Sequence, residues 1–145
     1  MALETPSASS SAVHNVMIAN RSVNTGPERV VRRMLREAGL AGYRLHWRID
    51  DESGRYICRP DITYPGRRIA IFVHGCFWHQ HNCRDGRIPD SNQEYWEPKL
   101  LRTIQRDREH RLALTKSGWK SLVVWECQLK SEAAVMRRVK KFLDA

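Results

Sequence analysis

Long apolar runs are what this 145-residue sequence lacks most plainly. The longest, Ile69-Ala70-Ile71-Phe72-Val73, has five residues, whereas a helix that crosses a bilayer needs about 20. No membrane span is expected. The first twenty residues contain no lysine or arginine and a single acid, Glu4, and Met1 to Ala12 has no apolar stretch; this argues against a secretory signal. A cytoplasmic protein is the expectation. Cysteine is scarce, at four residues, and thiols in that compartment stay reduced, so they serve as metal ligands or buried small groups rather than disulfides. No internal repeat is visible. Hydrophobic residues make up 41% of the chain, enough to bury a core, which excludes a fibre or disorder throughout.

Positive charge is abundant. There are 25 lysines and arginines against 16 acids, a formal +9 with a pI near 9.9. Setting aside the first twenty residues leaves 25 basic against 15 acidic residues, or +10. A small, strongly basic domain most often meets a polyanion, nucleic acid first among them. A solvated basic surface without a partner is the plainer explanation, and charge alone does not separate the two.

Met1 to Ala12 is low in complexity, and residues 1–14 are expected to form a disordered Ala/Ser-rich tail, leaving 15–145 as a single domain. Thr25-Gly26-Pro27-Glu28 opens a helix: Thr caps it, Pro is tolerated in the first turn, and Glu28 stands where a capping box wants an acid. Val30, Val31, Met34, Leu35 and Ala38 share one face and Gly39 ends it. Tyr43, Leu45, Trp47 and Ile49 alternate with polar residues, which predicts a half-buried strand. A turn follows at 50–54. Next comes a strand from about Arg55 to Tyr64 broken by Pro60, then a buried central strand over 68–73. After an irregular stretch, His74 to Asn92, a charged helix is marked by Leu100, Leu101, Ile104 and Leu112 and closes at Gly118. A buried strand over 119–125 leads to a last helix capped by Ser131, with Val135, Met136, Val139, Phe142 and Leu143 on one face. The order predicts a mixed central sheet flanked by helices, an α/β fold.

The densest chemistry lies in Gly75-Cys76-Phe77-Trp78-His79-Gln80-His81-Asn82-Cys83, with Cys127 following the last strand. Tetrahedral zinc takes four thiolate or imidazole ligands. Five candidates are present, Cys76, His79, His81, Cys83 and Cys127, and spacing leaves open which histidine is spare. A closed site of this kind is structural, fixing a loop too irregular to hold its own shape. Cys58 lies apart and reads as a buried apolar residue.

Asp61, in Arg59-Pro60-Asp61-Ile62, is expected to place a carboxylate on a strand facing the end of the next strand at Val73-His74, where a nuclease would hold a hard divalent cation. Turn-forming Pro-Asp pairs are far more frequent than catalytic ones, so the weight comes from His74 and His79 nearby, whose imidazoles suit general base work at neutral pH. Phe77-Trp78 inside the polar loop, with Tyr95-Trp96 after it, could wedge between base pairs; for any single aromatic, folding back into a core is the commoner fate.

These segments, together with Asn92, Lys99, Arg106-Asp107 and Gly118-Trp119 through Val123-Val124-Trp125-Glu126-Cys127, resemble the very-short-patch (Vsr) DNA mismatch repair endonucleases from about Met17 to Cys127. The resemblance implies a restriction-endonuclease-like α/β fold with a structural zinc loop. It implies an enzyme that nicks duplex DNA 5′ of the thymine in a thymine–guanine mismatch left by deamination of 5-methylcytosine. It assigns zinc to Cys76, His81, Cys83 and Cys127, magnesium to Asp61 and the main-chain carbonyl of Val73, and catalytic roles to Asp61, His79, His74 and Glu28, with His79 as the general base. Glu28 is then claimed by both helix capping and catalysis, and the catalytic role is favoured. Phe77, Trp78 and Trp96 match aromatics inserted beside the mismatch, and Met17 a residue wedged from the opposite groove, on an arm (15–24) that orders on DNA. A monomer acting at the bacterial nucleoid, alongside mismatch-repair proteins and a repair polymerase, is the implied setting.

Three features depart from the family pattern: Val73 replaces the threonine of the best-known member, Thr103 stands where asparagine is frequent, and the Asp50 to Cys58 segment is longer than usual. The rival readings are a restriction-like endonuclease cutting intact duplex at a defined sequence, and a zinc-stabilised DNA-binding module without catalysis.

Overall fold

The computed structural model describes residues 25–76, 79, 81, 83 and 93–144, with 93–96 described by their backbone alone. The expected tail (1–14) and arm (15–24) lie outside the described residues. Helix α1 (Gly26–Glu37) starts where Thr25 Oγ1 accepts the Glu28 amide at 3.4 Å, with a proline in its first turn. It stops at Gly39, whose φ of 76° suits a residue without a Cβ. Strands β1 (Arg44–Leu45), β2 (Ile49–Asp50), β3 (Tyr56–Cys58), β4 (Ile62–Tyr64) and β5 (Ile69–His74) follow. Helix α2 (Gln93–Lys116), β6 (Lys120–Trp125), a stretch of 3-10 helix ending at Ser131, and α3 (Glu132–Asp144) complete the order.

The main sheet runs β1-β4-β5-β6, with β2-β3 a separate two-stranded hairpin. β1, β4 and β5 are antiparallel neighbours, whereas β5 and β6 are parallel, so the sheet is mixed. A parallel pair needs a long crossover, and α2 lies within it. All six residues of β5 are buried. Their alternation splits the core between the two faces: Ile69, Ile71 and Val73 join Leu122 and Val124 under α1 and α3. Ala70 and Phe72 join Val123, Leu114 of α2, and Ile49, Ile57 and Cys58 of the hairpin. An α/β domain with its sheet covered on both faces is the result.

One expectation needs correction. The alternation over 43–49 does not form one strand: the chain turns at His46, which has φ 49°, so β1 and β2 enter different sheets and Leu45 and Trp47 are left exposed. On α2, Leu101 and Leu112 are exposed, whereas Leu100 and Leu114 are fully buried, Leu114 within the hairpin-side core. Pro60 does break the 55–64 stretch, into β3 and β4. Leu114→Ala should therefore cost about 2–5 kcal/mol in urea unfolding, while Leu112→Ala stays within about 0.5 kcal/mol.

Candidate active site and metal centre

Because β5 and β6 run parallel and in register to their ends, His74 is paired with Trp125. The chain leaving each strand then delivers Cys76 and Cys127 to the same edge. The carboxyl ends of parallel strands are where α/β folds gather ligands.

Cys76, His81, Cys83 and Cys127 converge there, with one donor atom from each lying within 4.8 Å of all the others. His81 Nδ1 lies 3.8 Å from Cys76 Sγ and 3.4 Å from Cys127 Sγ. Zinc–sulfur bonds of about 2.3 Å arranged tetrahedrally put neighbouring donors about 3.8 Å apart, so this set fits zinc. Burial, followed by the neighbouring Cys83 and Cys127 thiols, pushes the Cys76 thiol up to about 12. Without a cation these groups stay protonated, and a bound metal would stabilise them as thiolates. His79 is not in this group. Cys58 is buried in the hairpin core, where burial raises its thiol to about 11.

Beside the cluster opens a cleft of about 370 Å³ lined by Glu28, Asp61, Val73, His74, His79 and Asp107, with Arg59 and Arg106 also lining it. Asp61 Oδ2 accepts the Val73 amide at 2.7 Å. Burial raises the Asp61 carboxyl to about 7, opposed by that amide and reinforced by the charge of Glu28 and a hydrogen bond with it. Two carboxyl groups hydrogen-bonded to each other must share a proton or be joined by a cation. Oxygen donors of this kind suit a hard divalent ion. Thr25 thus caps α1 by accepting the Glu28 amide, while the Glu28 side chain, 9% exposed, lines the cleft. Its Oε2 also lies 3.6 Å from His46 Nε2.

The two cleft imidazoles are stacked, His74 on His79, with centroids 3.7 Å apart and planes 3° from parallel. Burial, followed by the charge of His79, drives His74 down to about 3, so it is neutral at physiological pH. His79 Nδ1 meets Asp107 Oδ2 at 2.5 Å. Burial pushes the Asp107 carboxyl up, but the hydrogen bond from His79 and the charges of His79, His74 and Arg106 outweigh it, and the net shift is downward. Trp125 joins the two centres. Its ring stacks on His81 at 4.3 Å and meets His74 edge-on at 5.2 Å.

Asp107, Trp125 and His46 carry no site role in the sequence reading. Asp107 sits in the mixed-charge run Arg106-Asp107-Arg108-Glu109, which has the pattern of a solvated helix face; only its contact with a histidine 28 positions away distinguishes it. Phe77, Trp78 and Met17 lie outside the described residues, and of Trp96 only the backbone, within α2, is described.

Residues 8–85 match the family described as DNA mismatch endonuclease Vsr. Over 124 residues the chain is 44% identical to the type II nicking enzyme V.XorIIP of Xanthomonas oryzae pv. oryzae, covering 86% of each chain. The protein belongs to the Vsr family. It is also 38% identical to the type II nicking enzyme V.NmeAIP of Neisseria meningitidis over 88% of this chain and 86% of that one. With the DNA mismatch endonuclease Vsr of Escherichia coli it shares 40% identity over 63% of this chain and 57% of that enzyme. As a Vsr-family endonuclease it is a DNA-cleaving hydrolase, and membership implies a divalent metal. Among the described residues no helix is long and apolar enough to cross a membrane.

The buried Asp61 carboxyl has a consequence for stability. Its folded value, about 7, lies above the ordinary 3.8, so the folded chain holds a proton that the unfolded chain releases, and stability falls as pH rises through that interval. In metal-free protein, Asp61→Asn should raise Tm by several degrees at pH 8 and by much less at pH 4.5. An equal gain at both would show that Asp61 ionises freely.

Proposed function

We propose that this Vsr-family endonuclease nicks one strand of duplex DNA on the 5′ side of the thymine in a thymine–guanine mismatch, hydrolysing one phosphodiester to 5′-phosphate and 3′-hydroxyl ends. The observation that carries the reading is the cleft itself, with the Asp61–Val73 contact on one side and the His79–Asp107 pair on the other. Mismatch specificity is supported by the family description and by the name of the Escherichia coli relative.

Asp61 and the Val73 carbonyl would hold magnesium, which when bound polarises the scissile phosphate and stabilises charge on the leaving oxygen. With Asp107 ionised, His79 donates from Nδ1–H, which leaves the Nε2 lone pair free to take a proton from the attacking water. Neutral His74 braces that ring by stacking, and Glu28 completes the carboxylate pair. Cys76, His81, Cys83 and Cys127 would hold zinc and keep the 76–83 loop in place. Phe77, Trp78 and Trp96 enter beside the mismatch and Met17 from the opposite groove, each wedge unstacking a step at a cost of a few kcal/mol. The basic surface holds the duplex against them.

In this reading residues 15–145 work as one endonuclease domain, monomeric and cytoplasmic, with 15–24 ordering on DNA, and its nick is passed to mismatch-repair proteins and a repair polymerase.

Asp61→Ala should abolish nicking in magnesium while leaving DNA binding intact; cutting at the wild-type rate would remove Asp61 from the site. Run on mismatched and perfectly paired duplexes of the same sequence, the wild-type assay should yield product only from the former, and equal cutting would favour the restriction-like rival. Metal analysis should find about one zinc per chain, lost in Cys127→Ser together with loop order. A native protein without zinc contradicts the assignment.

A further inference from the structure

His46 has no place in the reaction as described so far, and its backbone, like that of Arg68, is unusual for a residue with a side chain. It sits in the left-handed region, at φ 49°, which a side-chain-bearing residue occupies at a cost in free energy. Core packing does not account for the turn: Arg44, Leu45, Trp47 and Arg48 on either side are all exposed, and His46 alone in that run is partly buried. What the turn brings inside is one nitrogen. Nε2 is shielded from solvent, has no hydrogen-bond partner, and lies 3.6 Å from Oε2 of Glu28. A buried nitrogen without a partner is costly, and here the nearby acceptor is a carboxylate a few tenths of an ångström beyond bonding range. The amide of His46 is also tied to the main-chain carbonyl of Asp61, at 3.4 Å. The residue is therefore anchored to Asp61 by its backbone and aimed at the carboxylate partner of Asp61 by its ring.

We propose that His46 is a positioning residue of the nuclease site: its Nε2–H holds the Glu28 carboxylate in the orientation that pairs it with Asp61. The proposal rests on the catalytic reading above. The strained turn is maintained because it delivers this donor from outside the helix that carries Glu28. His46 acts through Glu28 and touches neither DNA nor the reacting atoms.

The decisive substitution is His46→Gly, since glycine accepts the backbone and removes only the ring. Nicking of a mismatched duplex in magnesium should show kcat lowered by about tenfold or more with KM for DNA within about twofold, while Tm is unchanged or higher. His46→Gln, whose amide nitrogen reaches the Nε2 position, should recover kcat to within about threefold of wild type. In a double-mutant cycle, Glu28→Gln with His46→Gly should be no slower than Glu28→Gln alone, because the ring then has no carboxylate to hold. Wild-type kcat in His46→Gly, a His46→Gln variant as slow as His46→Gly, or multiplying effects in the cycle would each overturn the proposal. Failure of the catalytic reading looks different: Asp61→Ala would then cut normally, whatever the His46 variants do.

Discussion

The parallel pairing of β5 with β6, buried on both faces, is the constraint from which the rest follows. Parallel neighbours leave their carboxyl ends at one edge, so the chain leaving β5 and the chain leaving β6 supply Cys76 and Cys127 to one cluster and place Trp125 against His74. The same pairing requires a crossover long enough to return to the starting end of the sheet. Helix α2 lies in that crossover, and it is α2 that brings Asp107 to His79. The sheet's hydrophobic burial thus supports a site whose own groups are individually unfavourable to bury.

That unfavourability is visible atom by atom. Asp61 and Glu28 are carboxyl groups in contact, His74 is an imidazole driven to neutrality with a buried Nδ1 that has no hydrogen-bond partner, and His46 holds a strained backbone. Each costs stability in the isolated fold; Asp61, Glu28 and His74 line one cleft, and His46 backs it through Glu28. Such clustering of unmet polar demand is the physical signature of a site awaiting a cation and a polyanion.

The elements that were legible in the sequence share a property: their signals are local. Thr25 with Gly39 bounds α1, the unbroken apolar run announces β5, and Leu122-Val123-Val124 announces β6. Cysteine and histidine at short spacing announced a cysteine–histidine cluster in the same way, though spacing could not separate His79 from His81. In the structure His81 lies among the three sulfurs and His79 lies against Asp107, a distinction made by residues that spacing does not relate. Tyr43, Leu45, Trp47 and Ile49 misled because alternation encodes a strand only while φ stays negative, and the reversal at His46 leaves no local mark.

Successive side chains on β5 point to opposite layers, so the strand divides the molecule's freedom to change. Ile69, Ile71 and Val73 are matched to α1 and α3, whereas Ala70 and Phe72 are matched to α2 and the β2-β3 hairpin. A substitution on one side alters packing volumes that the other side does not feel. Lineages can then remodel the hairpin and α2, which flank the cleft, while the opposite layer keeps the sheet intact, and compensating pairs of changes should appear within a layer rather than across it.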